Sequence, residues 1–271
     1  MARQRFLLLI LLIYTAASAQ MRGLPVSATY TRLTAYSHQF GDAFSFGSNL
    51  GALGTPQQLS AGVYTERRFM LKELASFNGA VVVPTGSGNF GWRGDYFGSA
   101  AYNQSSTGLA YARELGSKVA LGVQFNYYAL TTAGYGRAST IGFDAGILLK
   151  VSSQVNAGLQ VSNPLGASWG KEGVERIPAL YAAGLGYDVS KQVFIGLEVE
   201  KQEDKPVSVN AGLHYAVAEK LVARTGVHSA AQLYYLGVGV VLKHFRVDVT
   251  ASVHPYLGTT PGMLLLYSAK E

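Results

Sequence analysis

The stretch VSVNAGLHYAV, which runs from Val207 to Val217, decides the fold class of this chain. Taken two residues at a time, one set of positions is apolar and the other is small or polar. The apolar set is Val207, Val209, Ala211, Leu213, Tyr215 and Val217, and the second set is Ser208, Asn210, Gly212, His214 and Ala216. A period of two places the two sets on opposite faces of a β-strand. The stretch therefore predicts a strand with one apolar face.

The same alternation recurs through most of the chain. Clear copies lie at 119–128, 141–151, 155–161, 193–199 and 245–253, and weaker ones lie near 60–66, 73–84, 88–99 and 102–115. Short turns alternate with longer connections between them, which include 132–139 and 254–262. Outer-membrane barrels have this arrangement, with the short turns periplasmic and the longer loops outside. We therefore predict an all-β fold, a transmembrane antiparallel β-barrel of about 14 strands over residues 60–271. Twelve strands is the alternative count.

A soluble β-sandwich also alternates apolar with polar residues, and the inward positions argue against it. They are rich in glycine and carry charges, which are unusual on the core side of a sandwich. The predicted lumen-facing charges are Asp144, Glu198, Glu200, Arg224, Arg246 and Asp248. Each strand is also near the length that a tilted strand needs to cross a bilayer. A barrel with a polar interior is the better interpretation.

The amino-acid composition excludes several classes of function. The chain has no cysteine, so neither disulfides nor a cysteine-based metal site can form. Its formal net charge of +6 is modest and not clustered, so no nucleic-acid partner is expected. The sequence contains 32 Gly, 17 Tyr and 12 Phe but only 14% charged residues, which suits a barrel whose outer surface faces lipid.

The first 19 residues are typical of a secretory signal peptide. Arg3 and Arg5 precede the apolar run Phe6 to Ile13, and Ala17-Ser18-Ala19 provides small residues for cleavage. The apolar run is less than half the roughly 20 residues of a spanning helix. We expect residues 1–19 to direct export, and the barrel to reside in a Gram-negative outer membrane in contact with lipid and lipopolysaccharide.

Residues 20–59 do not alternate cleanly. Their closely spaced phenylalanines favour burial, so we predict that this segment folds into the lumen as a plug. The plug residues that could face a ligand are Phe40, Asp42, Phe44, Phe46 and Asn49.

Motifs for catalysis and cofactor binding fail on their context. Gly86 to Gly91 fits G-x-G-x-x-G, but no helix follows it as a dinucleotide site requires. Gly166 to Gly170 fits G-x-S-x-G but lies in a predicted outer loop without the helices of a hydrolase fold. No histidine spacing matches a metal site. We expect a non-enzyme with no catalytic residues, cofactor or metal.

Three parts of the chain resemble FadL-like outer-membrane proteins of the PorV/PorQ group. They are 37–45 with 48–53, then 163–166 with 176–178, and finally 245–248 with 254–260. Leu50 stands where that group usually has proline. The resemblance implies a 14-stranded barrel with an amino-terminal plug. Relatives divide between uptake of long-chain fatty acids or other hydrophobic compounds and accessory roles in type IX protein secretion in Bacteroidota.

Two functions follow from that resemblance. The first is an accessory or shuttle subunit that meets secretion-machine subunits or cargo through its outer loops, where the candidates are Trp169, Arg176, His254 and Tyr256. The alternative is a channel for a hydrophobic small molecule, with the plug phenylalanines facing the solute. Because the inward charges predict a polar lumen, the sequence favours the accessory role.

Overall fold

The computed structural model describes residues 29–55, 57–169, 175–203 and 205–269. Fourteen antiparallel strands close into one barrel, which confirms the predicted fold class and strand number. The predicted signal peptide, and the beginning of the predicted plug, lie outside the described residues. Among the described residues, no helix is both long enough and apolar enough to cross a membrane.

Sixteen strands are described, of which β8 and β9 form a small separate hairpin. The strands are β1 (Ser60–Arg67), β2 (Ala75–Thr85), β3 (Gly88–Gly98), β4 (Tyr102–Leu115), β5 (Val119–Thr132), β6 (Gly136–Lys150), β7 (Val155–Ser162), β8 (Ser168–Trp169), β9 (Glu175–Arg176), β10 (Leu180–Asp188), β11 (Val193–Gln202), β12 (Ser208–Ala218), β13 (Leu221–His228), β14 (Leu233–Leu242), β15 (Phe245–His254) and β16 (Gly258–Ser268).

Each barrel strand pairs with its neighbours in the chain, and β7 pairs with β10 across the β8–β9 hairpin. The seam joins β1 to β16, from Ser60 opposite Ser268 to Glu66 opposite Gly262. Closure leaves no sheet edge unpaired, as a strand structure in lipid requires.

The two ends of the barrel differ. One end, called here the turn end, carries the start of β1, the end of β16 and the short turns such as the one between β2 and β3. The opposite end, called here the loop end, carries the β8–β9 hairpin and the loop from β1 to β2. That loop contains two short 3₁₀ helices, Arg68–Met70 and Lys72–Leu74. By the rule for outer-membrane barrels the loop end faces outside.

Two loop-end connections are shorter than the sequence predicts. The prediction placed loops over 132–139 and 254–262, whereas only 133–135 and 255–257 separate the strands. Gly134 and Gly258 have φ of 81° and 92°, in the left-handed region that glycine occupies without strain. These glycines allow tight turns, so the strands extend further than their alternation indicates.

The two alternating sets of residues in VSVNAGLHYAV face the outside and the inside of the barrel. Val209, Leu213 and Tyr215 are exposed on the outer surface of β12, whereas Asn210 and His214 are buried inside. Leu148 breaks the sequence pattern, because it is apolar at an inward position. It is buried in one cluster with plug residues Leu33 and Tyr36, so the exception marks a plug contact.

The plug occupies the lumen. It consists of a 3₁₀ helix Thr29–Tyr36, a 3₁₀ turn Ser45–Gly47 and one α-helical turn, α1 (Gly51–Gly54). Its apolar side chains form two buried clusters with inward residues of the wall. The fold class with an amino-terminal lumenal plug is thereby confirmed, and the described plug extends from Thr29 to Thr55.

Inward glycines bring the plug directly onto the wall. A Cβ added at Gly186 of β10 would lie 2.2 Å from the carbonyl oxygen of Tyr36, and one at Gly122 of β5 would lie 2.3 Å from that of Leu50. No larger residue fits at either position unless the plug backbone moves. The close approach of wall and plug accounts for glycine at these inward positions.

Candidate functional site

The first group of lumen charges holds the plug helix Thr29–Tyr36. Arg32 Nε lies 2.8 Å from Glu198 Oε1, and its Nη2 pairs with Glu200 Oε1. The Tyr36 hydroxyl donates to the other oxygen of Glu198 at 2.8 Å. All four side chains are buried. Burial raises the pKa of the Tyr36 phenol well above its ordinary value, and the negative charge of Glu198 adds to the rise, so the phenol remains a donor.

The second group forms around Asp42 in the middle of the plug. Asp42 Oδ2 lies 3.3 Å from Arg224 Nη2 and 3.6 Å from Arg246 Nη2. Arg246 also contacts Asp248 at 2.9 Å, and the Tyr30 hydroxyl donates to Asp248 at 3.0 Å. The guanidinium of Arg224 stands over the Tyr30 ring, 5.2 Å from its centroid. We call these five residues the Asp42 cluster.

The six predicted lumen charges therefore lie inside the barrel, and five of them contact the plug. The sixth, Asp144, accepts hydrogen bonds from the Asn163 backbone N–H and from Asn126, each at 2.9 Å. Each of these buried charges has a partner, which offsets part of the cost of removing it from water. The inference that inward charge means a wet, polar conduit is thus not supported, because the charges fasten the plug instead.

Asn49 serves as a second kind of anchor. Its Nδ2 donates to the carbonyl oxygens of Ile147 and Leu159, at 3.1 and 3.2 Å, while the Leu50 N–H donates to Gln160 Oε1 at 3.0 Å. These bonds fasten the plug ahead of α1 to β6 and β7. Asn49 is fully buried, so its position suits a structural role.

The three plug phenylalanines pack against the wall. Phe40 lies 6.3 Å from the Phe194 ring and 5.9 Å from the His214 ring, measured between centroids. Phe44 packs over Gly62 and Phe46 over Gly91. None of the three is among the residues that line the large cavity described next. The expectation that they face a solute stays a prediction, and these rings lie outside the lining of that cavity.

A cavity of about 490 Å³ lies at the loop end, above the plug. Its aromatic lining is Tyr30, Tyr64, Phe69 and Tyr235, and its aliphatic lining includes Leu180, Leu233 and Leu257. Tyr30 belongs to the plug, and its ring stacks with Tyr64 at 6.4 Å and meets Tyr235 edge-on at 6.1 Å. The volume lies within the range of small-molecule sites, which are mostly apolar with a few polar groups.

One group of polar residues in the cavity lining surrounds His228. His228 Nε2 lies 3.4 Å from both Ser208 Oγ and Glu200 Oε2, while His228 Nδ1 accepts the Ala231 N–H at 3.3 Å. A nucleophile triad needs serine and acid on opposite ring nitrogens. Because both contacts here involve Nε2, the arrangement cannot activate Ser208 in that way.

The charged residues around the cavity are largely paired. Glu66 contacts Arg68 at 2.9 Å, and Arg68 also stands 5.0 Å from the Phe97 ring centroid. Glu200 is held by Arg32, as described above. Lys205 is exposed at the rim. In the described part of the chain, no cluster of three or more histidine or acidic residues could hold a metal ion.

The four outer-loop candidates lie on two connections, and the His254 and Tyr256 rings on one of them are 6.1 Å apart. His254 lines the cavity and contacts the Phe69 ring at 6.0 Å. Trp169 lies on β8 and is half-buried, Arg176 on β9 is exposed, and Tyr256 is exposed at the tip of the loop between β15 and β16.

Sequence reasoning missed the cavity tyrosines. Tyr64 and Tyr235 fall on inward positions of β1 and β14, so the parity of each strand contains the signal that could have found them. Phe69 carried no such signal, because it lies in a loop with a φ of 53°.

No protein-family model matches this chain, and no curated protein matches it in sequence. Solved structures match it in fold. The crystal structure of the Ralstonia pickettii toluene transporter TbuX is 14% identical with a TM-score of 0.61, covering 92% of this chain and 98% of that one. The monoaromatic hydrocarbon channel TodX, as a deltaS2S3 mutant, is 11% identical with a TM-score of 0.65, covering 91% and 98%.

A Pseudomonas aeruginosa FadL homologue is also similar, at 11% identity and a TM-score of 0.58, covering 89% of this chain and 96% of that one. At such identities the likeness concerns the fold. This chain therefore shares the fold of these solved structures, a closed antiparallel barrel of 14 strands.

Proposed function

We propose that this protein is a non-enzymatic outer-membrane channel for hydrophobic small molecules. The observation that carries the proposal is the cavity of about 490 Å³, which opens at the loop end, is lined by aromatic and aliphatic side chains, and has a plug residue, Tyr30, among its lining. A solute entering from outside would leave water there and contact the plug at once. Its passage to the turn end then requires the plug to shift.

Two observations favour this function over the secretion-accessory hypothesis. The lumen charges that suggested a polar interior are used to hold the plug, so they do not oppose an apolar solute. The similar structures TbuX and TodX are a toluene transporter and a monoaromatic hydrocarbon channel. They support the channel hypothesis better, and a link to PorV/PorQ, to type IX secretion or to Bacteroidota gains no support from them.

The proposal includes location and processing. Residues 1–19 act as an export signal, 20–59 form the plug and 60–271 form the barrel, in a Gram-negative outer membrane. The outward apolar faces of the strands, which include Leu213, Leu236 and Val249, support contact with lipid.

Filling the cavity tests the function. Ser252 lines the cavity from β15, while its neighbour Val253 points outward, so Ser252→Trp and Val253→Trp form a matched pair. Uptake of radiolabelled toluene by cells that lack other hydrocarbon channels should fall at least about tenfold in Ser252→Trp, because the ring occupies the space of the solute. Val253→Trp should transport as the unchanged protein does. Equal uptake by both variants would refute the proposal.

A further inference from the structure

The cavity combines an apolar body with the buried side chains of His228, Ser208 and Glu200, called here the polar wall, and this combination constrains the solute. Tyr30, Tyr64 and Tyr235 offer ring faces and edges in stacked and edge-on geometry, which suits a flat aromatic ring. The polar wall lies beside the same space, and its three side chains are buried. A pure hydrocarbon would leave these polar groups facing an apolar surface.

The hydrogen bonds of His228 determine which donors and acceptors the polar wall presents to a solute. Because Nδ1 accepts the Ala231 N–H, the ring proton resides on Nε2. From Nε2, the contacts to Ser208 Oγ and Glu200 Oε2 are both 3.4 Å, longer than the usual hydrogen-bond range. The Nε2–H is therefore a donor that a better-placed acceptor would satisfy, and Glu200 Oε2 beside it is an acceptor.

A hydroxyl group matches this pair, because it accepts from Nε2–H and donates to a carboxylate oxygen at once. A carboxylate does not match, since it can only accept and would approach the negative charge of Glu200. The buried cation nearest that wall, Arg32, is already paired with Glu198 and Glu200. Burying a second anion there without its own partner would be costly.

We propose that the cavity selects neutral hydroxylated monoaromatic compounds, and that His228 and Ser208 determine this specificity. The inference rests on the proposed function, since it names the solute of the same cavity. The hydroxyl lies between His228 Nε2 and Glu200 Oε2, and the ring lies against the tyrosines. Arg68 and Lys205 lie toward the rim, where an anionic solute would have to place its charge.

Three probes that share one ring separate the possibilities: toluene, p-cresol, which adds a hydroxyl, and 4-methylbenzoate, which adds a carboxylate. Their dissociation constants are measured on the detergent-purified full chain by titration calorimetry. His228→Phe should weaken p-cresol binding about tenfold, the effect of losing one hydrogen bond to a buried group, and should change toluene binding less than about twofold. Ser208→Ala should weaken p-cresol severalfold.

His244→Phe is the matched control, because His244 is exposed at the turn end; it should leave all three constants unchanged. Unaltered toluene binding by the variants shows that the cavity has kept its shape. Equal effects of His228→Phe on p-cresol and toluene, or tighter binding of 4-methylbenzoate than of p-cresol, would overturn the specificity proposal while leaving the channel proposal intact. Failure of every probe to bind the unchanged protein would instead remove the channel function, and the specificity with it.

Discussion

Arg32 provides the sharpest test of the plug attachment. The change Arg32→Met keeps the length and apolar stem of the side chain but removes the guanidinium that pairs with Glu198 and Glu200. Both carboxylates are buried, at 0% and 7% relative exposure, so the substitution leaves two negative charges in the lumen without their cation. Removing one partner of a buried ion pair costs about 3–5 kcal/mol.

That cost acts on the equilibrium between docked and displaced plug, because water can reach the carboxylates once the plug leaves. At about 1.4 kcal/mol per factor of ten, the ratio of docked to displaced plug should fall by roughly a hundredfold to a few thousandfold. Single-channel recording in planar bilayers measures this directly. The unchanged protein should be almost always closed, and Arg32→Met should open frequently.

Two controls accompany the measurement. Arg137→Met makes the same substitution at an exposed residue of β6 and should remain closed. The triple variant Arg32→Met, Glu198→Gln, Glu200→Gln removes the anions together with the cation and should regain most of the closed state. Conductance of Arg32→Met equal to that of the unchanged protein would refute the reasoning, and so would a triple variant as leaky as the single one.

Two further predictions concern the contact between plug and wall. Gly186→Ala places a methyl group against the Tyr36 carbonyl, which should lower the free energy of unfolding by about 1–3 kcal/mol and so lower the midpoint temperature of heat-modifiable migration. Gly86→Ala is the control, because Gly86 lies in an open turn, and it should leave the midpoint unchanged. Equal midpoints for the two variants would contradict the close approach of plug and wall. Tyr36→Phe removes the hydrogen bond to Glu198 and should destabilise the docked plug by about 1.5–3 kcal/mol, measured from the protease resistance of the plug. Because the pKa of Tyr36 is raised on folding, this contribution should be complete below about pH 10 and be lost as the pH rises further; a loss already at pH 8 would contradict it.

The strands were predictable because their signal is local. Alternation located β4 at 102–115, where the structure has Tyr102–Leu115, and it placed Glu198 and Asp248 inside the barrel. The role of those charges was not predictable, since Arg32 and Glu198 are 166 residues apart and nothing near either residue indicates its partner. A charge on the inward face gives the same sequence pattern whether it contacts water or a plug.

The cavity, too, is only partly predictable from the sequence. The inward parity of Tyr64 and Tyr235 is readable from their strands, but their meeting with Tyr30 depends on how the plug lies in the lumen. The closely spaced phenylalanines correctly indicated a buried segment, and burial alone does not say whether a ring faces a solute or a wall glycine. The site therefore emerges only when plug and barrel are assembled.

The glycine-lined wall has a consequence for biogenesis. Gly122 and Gly186 sit on β5 and β10, on separate parts of the sheet, and both touch the plug backbone. The seam between β1 and β16 joins the two barrel strands furthest apart in sequence, so its closure carries the greatest loss of chain entropy. A plug that bridges separate strands before the seam closes would draw them together and reduce that loss. The plug would then act as an internal template for its own barrel, so variants at the inward glycines should show slowed insertion as well as a loosened channel.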